Sequence, residues 1–147
     1  MKEEYMLLAI DEAKKAAMMG EVPVGAVIVK DNVVFAKAYN LKEKSNCCIS
    51  HAEILAVEKA SKILNNWRLS DCDMYVTLEP CPMCASAIKQ SRIKNVYCGL
   101  SNKDKNNSII IKAIFEKDLV NNKVNYSCGY FSEEIKKIMN DFFSNIR

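Results

Sequence analysis

The stretch from Asp73 to Leu100 constrains the fold more than any other part of this chain. Asp73 to Leu78 is a strand-length apolar run, Pro82 to Ser91 has helical spacing with proline at its first position, and Asn95 to Leu100 is a second strand-length run. Two strands joined through a helix run parallel, and a parallel sheet needs helices over it. The flanking segments extend the alternation. Glu3 to Met19 carries Met6, Leu7, Ile10, Ala13, Ala17 and Met18 at helical spacing ahead of Gly20. Val24 to Val29 and Val33 to Tyr39 flank the turn pair Asp31-Asn32 and read as a hairpin. A second helix starts close to His51 and runs to Leu64, with Ile54, Leu55, Val57, Ala60 and Ile63 on its apolar positions. Beyond Leu100 come a polar loop from Ser101 to Ser108, an apolar run of either type from Ile109 to Phe115, a strand from Lys123 to Cys128, and a closing helix from Ser132 to Ile146. The expectation is one α/β domain over residues 1–147. Its sheet is mostly parallel, covered by helices on both faces, and the initial hairpin supplies an antiparallel edge.

Half of the 147 residues are hydrophobic, which is enough for a core that needs neither disulfides nor a structural metal. No run of apolar residues is long enough for a membrane span. The opening MKEEYMLLAID carries acids and no small-residue cleavage site, so no export signal is expected and the default compartment is cytoplasmic. In that reducing setting the seven cysteines suggest metal or catalysis before cross-links. The net charge of +3 permits contact with RNA without arguing for it.

The chemistry-bearing residues are His51-Ala52-Glu53 and Glu79-Pro80-Cys81-Pro82-Met83-Cys84. Cys81 and Cys84 are three apart at a helix start, so both sulfurs face one side, and the helix N-terminus favours thiolate. His51 also opens a helix, where the positive end of the dipole disfavours imidazolium and leaves a neutral nitrogen for a metal. One imidazole and two thiolates hold a zinc ion with its fourth position open, as in a catalytic site. The chain has a single histidine, so a closed Cys2His2 site is excluded, and a third cysteine, Cys47 or Cys48, would be needed to close it. Glu53 lies two residues past His51, away from the ligand side of the helix. It is better placed to take a proton from metal-activated water and return protons to a ring nitrogen and a leaving amine. A structural reading stands beside this one: Ser50 to Glu53 has the form of a capping box, S-x-x-E ahead of an apolar run, which would leave Glu53 without a chemical role.

H-x-E followed by P-C-x-x-C is the signature of zinc nucleobase deaminases. With EVPVGAVIV at 21–29, Asn40 eleven residues before His51, HAEILA at 51–56, WRLSDCDMYVTLEPCPMC at 67–84, SRI at 91–93 and DFFSNIR at 141–147, the chain resembles the cytidine deaminase superfamily. Within it, the bacterial tRNA adenosine deaminase branch is the more similar. The resemblance implies a three-layer α/β/α fold around a five-stranded mixed sheet, a homodimer with active sites near the subunit interface, and conversion of the wobble adenosine of a tRNA anticodon to inosine. It implies one zinc ion per subunit on His51, Cys81 and Cys84, proton shuttling by Glu53, and a hydrogen bond from Asn40 to base or sugar. Val24 and Leu78 would line the pocket, and backbone groups near Ala52 and Glu79 would fix the target.

The chain departs from that pattern at the rim. Cys47-Cys48-Ile49-Ser50 stands where the family shows Asp-Pro-Thr-Ala, SNKDKNN at 101–107 lacks the glycine of Asp-x-Lys-x-Gly, and Ser144 replaces an arginine after Phe142-Phe143. Lys103, Lys105, Lys112, Lys123, Lys136, Lys137 and Arg147 are available to track phosphates, or to form an ordinary solvated face. The first expectation is an enzyme acting on tRNA. The alternatives are a deaminase of a free base or nucleoside such as guanine or cytosine, and a non-catalytic zinc-stabilised binding module.

Overall fold

The computed structural model describes residues 1–116 and 123–146; Arg147 lies outside them. In chain order the elements are α1 (Glu3–Met18), β1 (Gly25–Lys30), β2 (Val33–Tyr39), α2 (Ala52–Leu64), β3 (Asp73–Leu78), α3 (Pro82–Gln90), β4 (Asn95–Leu100), α4 (Lys105–Glu116), β5 (Asn125–Cys128) and α5 (Ser132–Asn145). The five strands form one sheet in the order β2-β1-β3-β4-β5. β3, β4 and β5 are parallel, as a strand-helix-strand sequence demands, while β1 is antiparallel to both β2 and β3. The sheet is therefore mixed, with parallel and antiparallel ladders evenly divided rather than mostly parallel. The hairpin puts β2 on the edge, and β1 becomes an interior strand.

Strand residues alternate between two cores, as a period of two requires. Ala26, Ile28, Met74, Val76, Val96 and Cys98 face one way and pack with Ala52, Ala56 and Ala60 of α2, Ala85 and Ile88 of α3, and Ile111 and Phe115 of α4. Val27, Val29 and Tyr75 face the other way, onto Tyr5, Met6, Ala9 and Ile10 of α1 and Ile135 of α5. These are the three layers. The buried face of α2 is built from alanines, which brings the helix close to the sheet and lets its N-terminus approach that of α3. Gly25 does the same for α1: a Cβ there would sit 2.0 Å from the Ala9 carbonyl oxygen and 2.7 Å from the Ala13 nitrogen.

Two segments differ from expectation. Residues 105–108, read as polar loop, are the first turn of α4. Asp104 stands just ahead of the helix, and its Oδ1 accepts the Asn106 N–H at 2.9 Å, the action of an N-cap that a run of polar residues conceals. Ile111 and Phe115, four apart, are the fully buried residues of this helix, with Ile114 packed partly buried beside them, whereas Ile109 and Ile110 are exposed. Likewise β5 begins at Asn125 instead of Lys123, because the Val124 N–H bonds the Phe115 carbonyl and closes the α4–β5 connection.

Candidate active site

His51 is the N-cap of α2 and Cys81 the N-cap of α3, each with extended backbone and neither using its side chain as a cap. Their side chains are thus free for other work. Pro82 takes the first position of α3, where its missing N–H costs nothing. The Cys84 sulfur comes within 3.5 Å of His51 Nδ1, the Cys81 sulfur within 3.7 Å, and all three donor atoms lie within 4.8 Å of one another. Zinc bonds of ordinary length at tetrahedral angles put sulfur and nitrogen about 3.6 Å apart, so the donor set fits that ion. Cys47 and Cys48 are exposed and belong to no such group.

A hydrogen bond from the Cys84 thiol is the main influence holding the Cys81 thiol down at about 5, and N–H groups at the start of α3 add to it against burial. Cys84, as the donor to Cys81, is pushed up, and burial beside Glu53 pushes it further. A zinc ion held by this group would reverse that push and favour both thiolates.

Glu53 falls at the second position of α2, because His51 and not Ser50 caps the helix. The capping-box geometry, which needs the acid at the third position, is absent here. Glu53 is 4% exposed, and burial holds its carboxyl above the usual carboxylate range while its own helix-start N–H pulls the other way. A buried acid that retains its proton at higher pH than usual is suited to give as well as take one.

Beside the His51-Cys81 pair opens a pocket of about 220 Å³. Every residue expected to contact substrate lines it: Val24, Asn40, Ala52, Leu78 and Glu79, together with Glu53. Asn40 is fixed by its neighbours, with Nδ2 donating to the Val22 carbonyl at 3.2 Å and Oδ1 accepting the Lys42 N–H at 3.2 Å. The structure adds Val22, Lys42 and Asn102 to the lining. Their positions depend on where two loops fold back, for which no local pattern in the chain is a signal. One of these loops is anchored by Glu21, 1% exposed, whose carboxylate accepts the N–H groups of Glu43 and Lys44 at 2.9 and 2.7 Å.

Of the remaining candidates, Lys103, Lys105, Lys112, Lys123, Lys136 and Lys137 are all exposed. Phe142 is half-buried and Phe143 exposed, their rings meeting edge to face at 5.2 Å. Phe142 also lines a groove with Ala17, Gly20 and Ile138 between α1 and α5.

Residues 1–147 match the family of MafB19-like deaminases. The tRNA-specific adenosine deaminase of Bacillus subtilis (strain 168) is 40% identical over 145 residues, covering 99% of this chain and 90% of that protein. Among solved structures, one from biochemical and structural studies of A-to-I editing by tRNA:A34 deaminases superposes with a TM-score of 0.85 at 34% identity, covering 93% of this chain and 99% of that one. The guanine deaminase of Bacillus subtilis superposes with a TM-score of 0.69 at 31% identity, covering 99% and 94%.

Proposed function

The chain belongs to the MafB19-like deaminase family, and from that premise we propose that it is a zinc-dependent hydrolase converting adenosine to inosine at the wobble position of a tRNA anticodon. The observation that carries this reading is the His51-Cys81-Cys84 group, with both sulfurs 3.5–3.7 Å from the imidazole nitrogen and buried Glu53 beside it on the wall of one pocket. The strongest support for the substrate is the 40% identity to a tRNA-specific adenosine deaminase along nearly the whole chain.

When bound, the zinc ion acts as a Lewis acid that lowers the pKa of a coordinated water to about 7. The protein's own residues do the rest. Glu53 accepts the proton that water releases as oxygen bonds to the carbon bearing the amine, and passes it to the adjacent ring nitrogen. It then takes the proton of the new hydroxyl and carries it to the departing nitrogen, so that the carbonyl forms as the carbon–nitrogen bond breaks. Adenine plus water thereby becomes hypoxanthine plus ammonia. Asn40, pinned at both ends of its amide, orients the base or sugar, and Val24 and Leu78 hold the ring faces. Backbone groups at Ala52 and Glu79 fix its edge.

The experiment that tests this is incubation of the zinc-loaded protein with an adenosine-wobble tRNA, followed by sequencing for inosine. Absence of conversion sinks the tRNA assignment. The second reading, a free-base or nucleoside deaminase, draws on the likeness to a guanine deaminase and on the altered rim at 47–50 and 101–107. An ammonia-release screen across free bases and nucleosides separates the two.

The protein works as a homodimer in this reading, with Met83 of α3 and Ile109 and Ile110 of α4 as apolar residues available to a second copy. Sedimentation of the purified protein tests it. No helix among the described residues is long and apolar enough to cross a membrane, in keeping with a cytoplasmic enzyme that meets tRNA there.

A further inference from the structure

We infer that the Glu79 side chain is a positioning residue that clamps the pocket rim, residues 101–108, onto the turn carrying Cys81, and that the clamp serves a base still attached to an RNA strand. The inference rests on the deaminase reading above but concerns a carboxylate which that reading leaves without a task.

Glu79 directly follows β3 with 4% exposure, and among the described residues no cation pairs with it. A buried carboxylate without a counter-ion is costly unless hydrogen bonds replace its water. Four neutral donors do so. The Ser108 hydroxyl lies 2.7 and 2.8 Å from the two oxygens, Asn107 Nδ2 donates to Oε2 at 2.9 Å, the Asn102 N–H donates to Oε2 at 3.3 Å, and the Tyr126 hydroxyl donates to Oε1 at 3.0 Å. These donors come from three different segments: the rim loop, the first turn of α4, and β5.

The same Asn107 amide nitrogen also donates to the Pro80 carbonyl at 3.1 Å, the peptide group just ahead of Cys81. One carboxylate therefore joins the metal-holding turn to the rim that closes the pocket. Asn102 lines that pocket, and Lys103 beside it is exposed. A free base contacts the floor at Val24, Asn40 and Leu78, whereas a nucleotide within a strand continues past Asn102 and Lys103. Loosening the rim thus penalises the polymer more than the free base. Glutamine is the weaker partner, because its NH2 end has no lone pair for the Asn102 N–H or the Asn107 amide nitrogen and is met only if a Ser108 or Tyr126 hydroxyl turns from donating to accepting.

The test compares wild type with Glu79→Gln, Ser108→Ala, Asn107→Ala, Ser108→Thr and the double variant Glu79→Gln/Ser108→Ala. Each is measured for zinc content and melting, for kcat and KM on adenosine-wobble tRNA and on a free nucleoside, and for amide exchange at Asn102. The expected result is a rise in tRNA KM of about tenfold for Glu79→Gln and Ser108→Ala, with kcat within about threefold. Ser108→Thr restores the wild-type KM, the double variant is no worse than Glu79→Gln alone, zinc content is unchanged, and Asn102 exchanges faster in Glu79→Gln. Additive losses, parallel loss of zinc, or equal penalties on tRNA and nucleoside overturn the inference. Asn107→Ala is expected to raise the tRNA KM as Ser108→Ala does, and if Glu79→Gln does not fold, these two alanine variants decide by the same criteria. A wild type silent on tRNA sinks the parent reading and the RNA half of this one, and Asn102 exchange then decides the clamp by itself.

Discussion

The Nδ1 atom of His51 lies 3.5 Å from the sulfur of Cys84, although 33 residues separate them in the chain. That meeting happens because α2 and α3 present their N-terminal ends to the same point, one led in by a loop and the other by β3. A helix N-terminus favours a neutral imidazole and a thiolate for the same electrostatic reason, so the two ends form one donor set.

Replacing Cys84 by serine removes a sulfur donor from that set. The variant is expected to purify with less than one zinc per chain by metal analysis, and wild type treated with a strong chelator should lose turnover in parallel. Since metal binds the folded chain preferentially, saturating zinc should stabilise wild type by about 4 kcal/mol at a thousandfold excess over Kd, measured by denaturant unfolding. Full activity after complete zinc removal would refute the assignment.

Glu53→Gln keeps the volume and removes the proton carrier. The expected outcome is a kcat lower by about 10²- to 10⁴-fold with zinc retained, the usual contribution of a positioned acid-base group. Unchanged turnover would return Glu53 to a structural role.

Gly25→Ala probes the approach of β1 to α1. The added methyl has no flexible neighbour to displace, because the nearest atoms are backbone at 2.0 and 2.7 Å. Destabilisation of about 1–3 kcal/mol by urea unfolding is expected, as for other overpacked interiors. A neutral result would mean that α1 shifts freely.

Glu21→Ala leaves two N–H groups of the 41–50 segment without their buried acceptor. A loss of about 2 kcal/mol in stability follows from hydrogen bonds to a charged group. The pocket wall at Asn40 and Lys42 should loosen with it, which a raised KM on the preferred substrate would report. If KM is unchanged while stability falls, the loop is only a structural cover.

The strand-helix-strand alternation, the hairpin and the candidate His51-Cys81-Cys84 group, whose side chains the structure brings together, were legible in the chain because each depends on residue type and local spacing. The boundaries of β3 and β4 agree with the sequence reading to the residue, since both are short apolar runs between turn signals. His51, Cys81 and Cys84 could be selected together because a single histidine and one C-x-x-C at helix starts left few other donors.

Sequence alone thus determined the type of every element except α4 and picked out the candidate donor residues, because residue type and spacing are local properties. The tertiary structure decided what depends on distant partners. It inserted β1 between β2 and β3, where pairing energy is shared along both edges of the strand. It started α4 inside a polar run whose Asn107 and Ser108 are held by Glu79, and made His51 rather than Ser50 the cap of α2, which placed Glu53 beside the donor set. No periodicity records such choices, because the groups that stabilise them are tens of residues away and become neighbours only when the layers close.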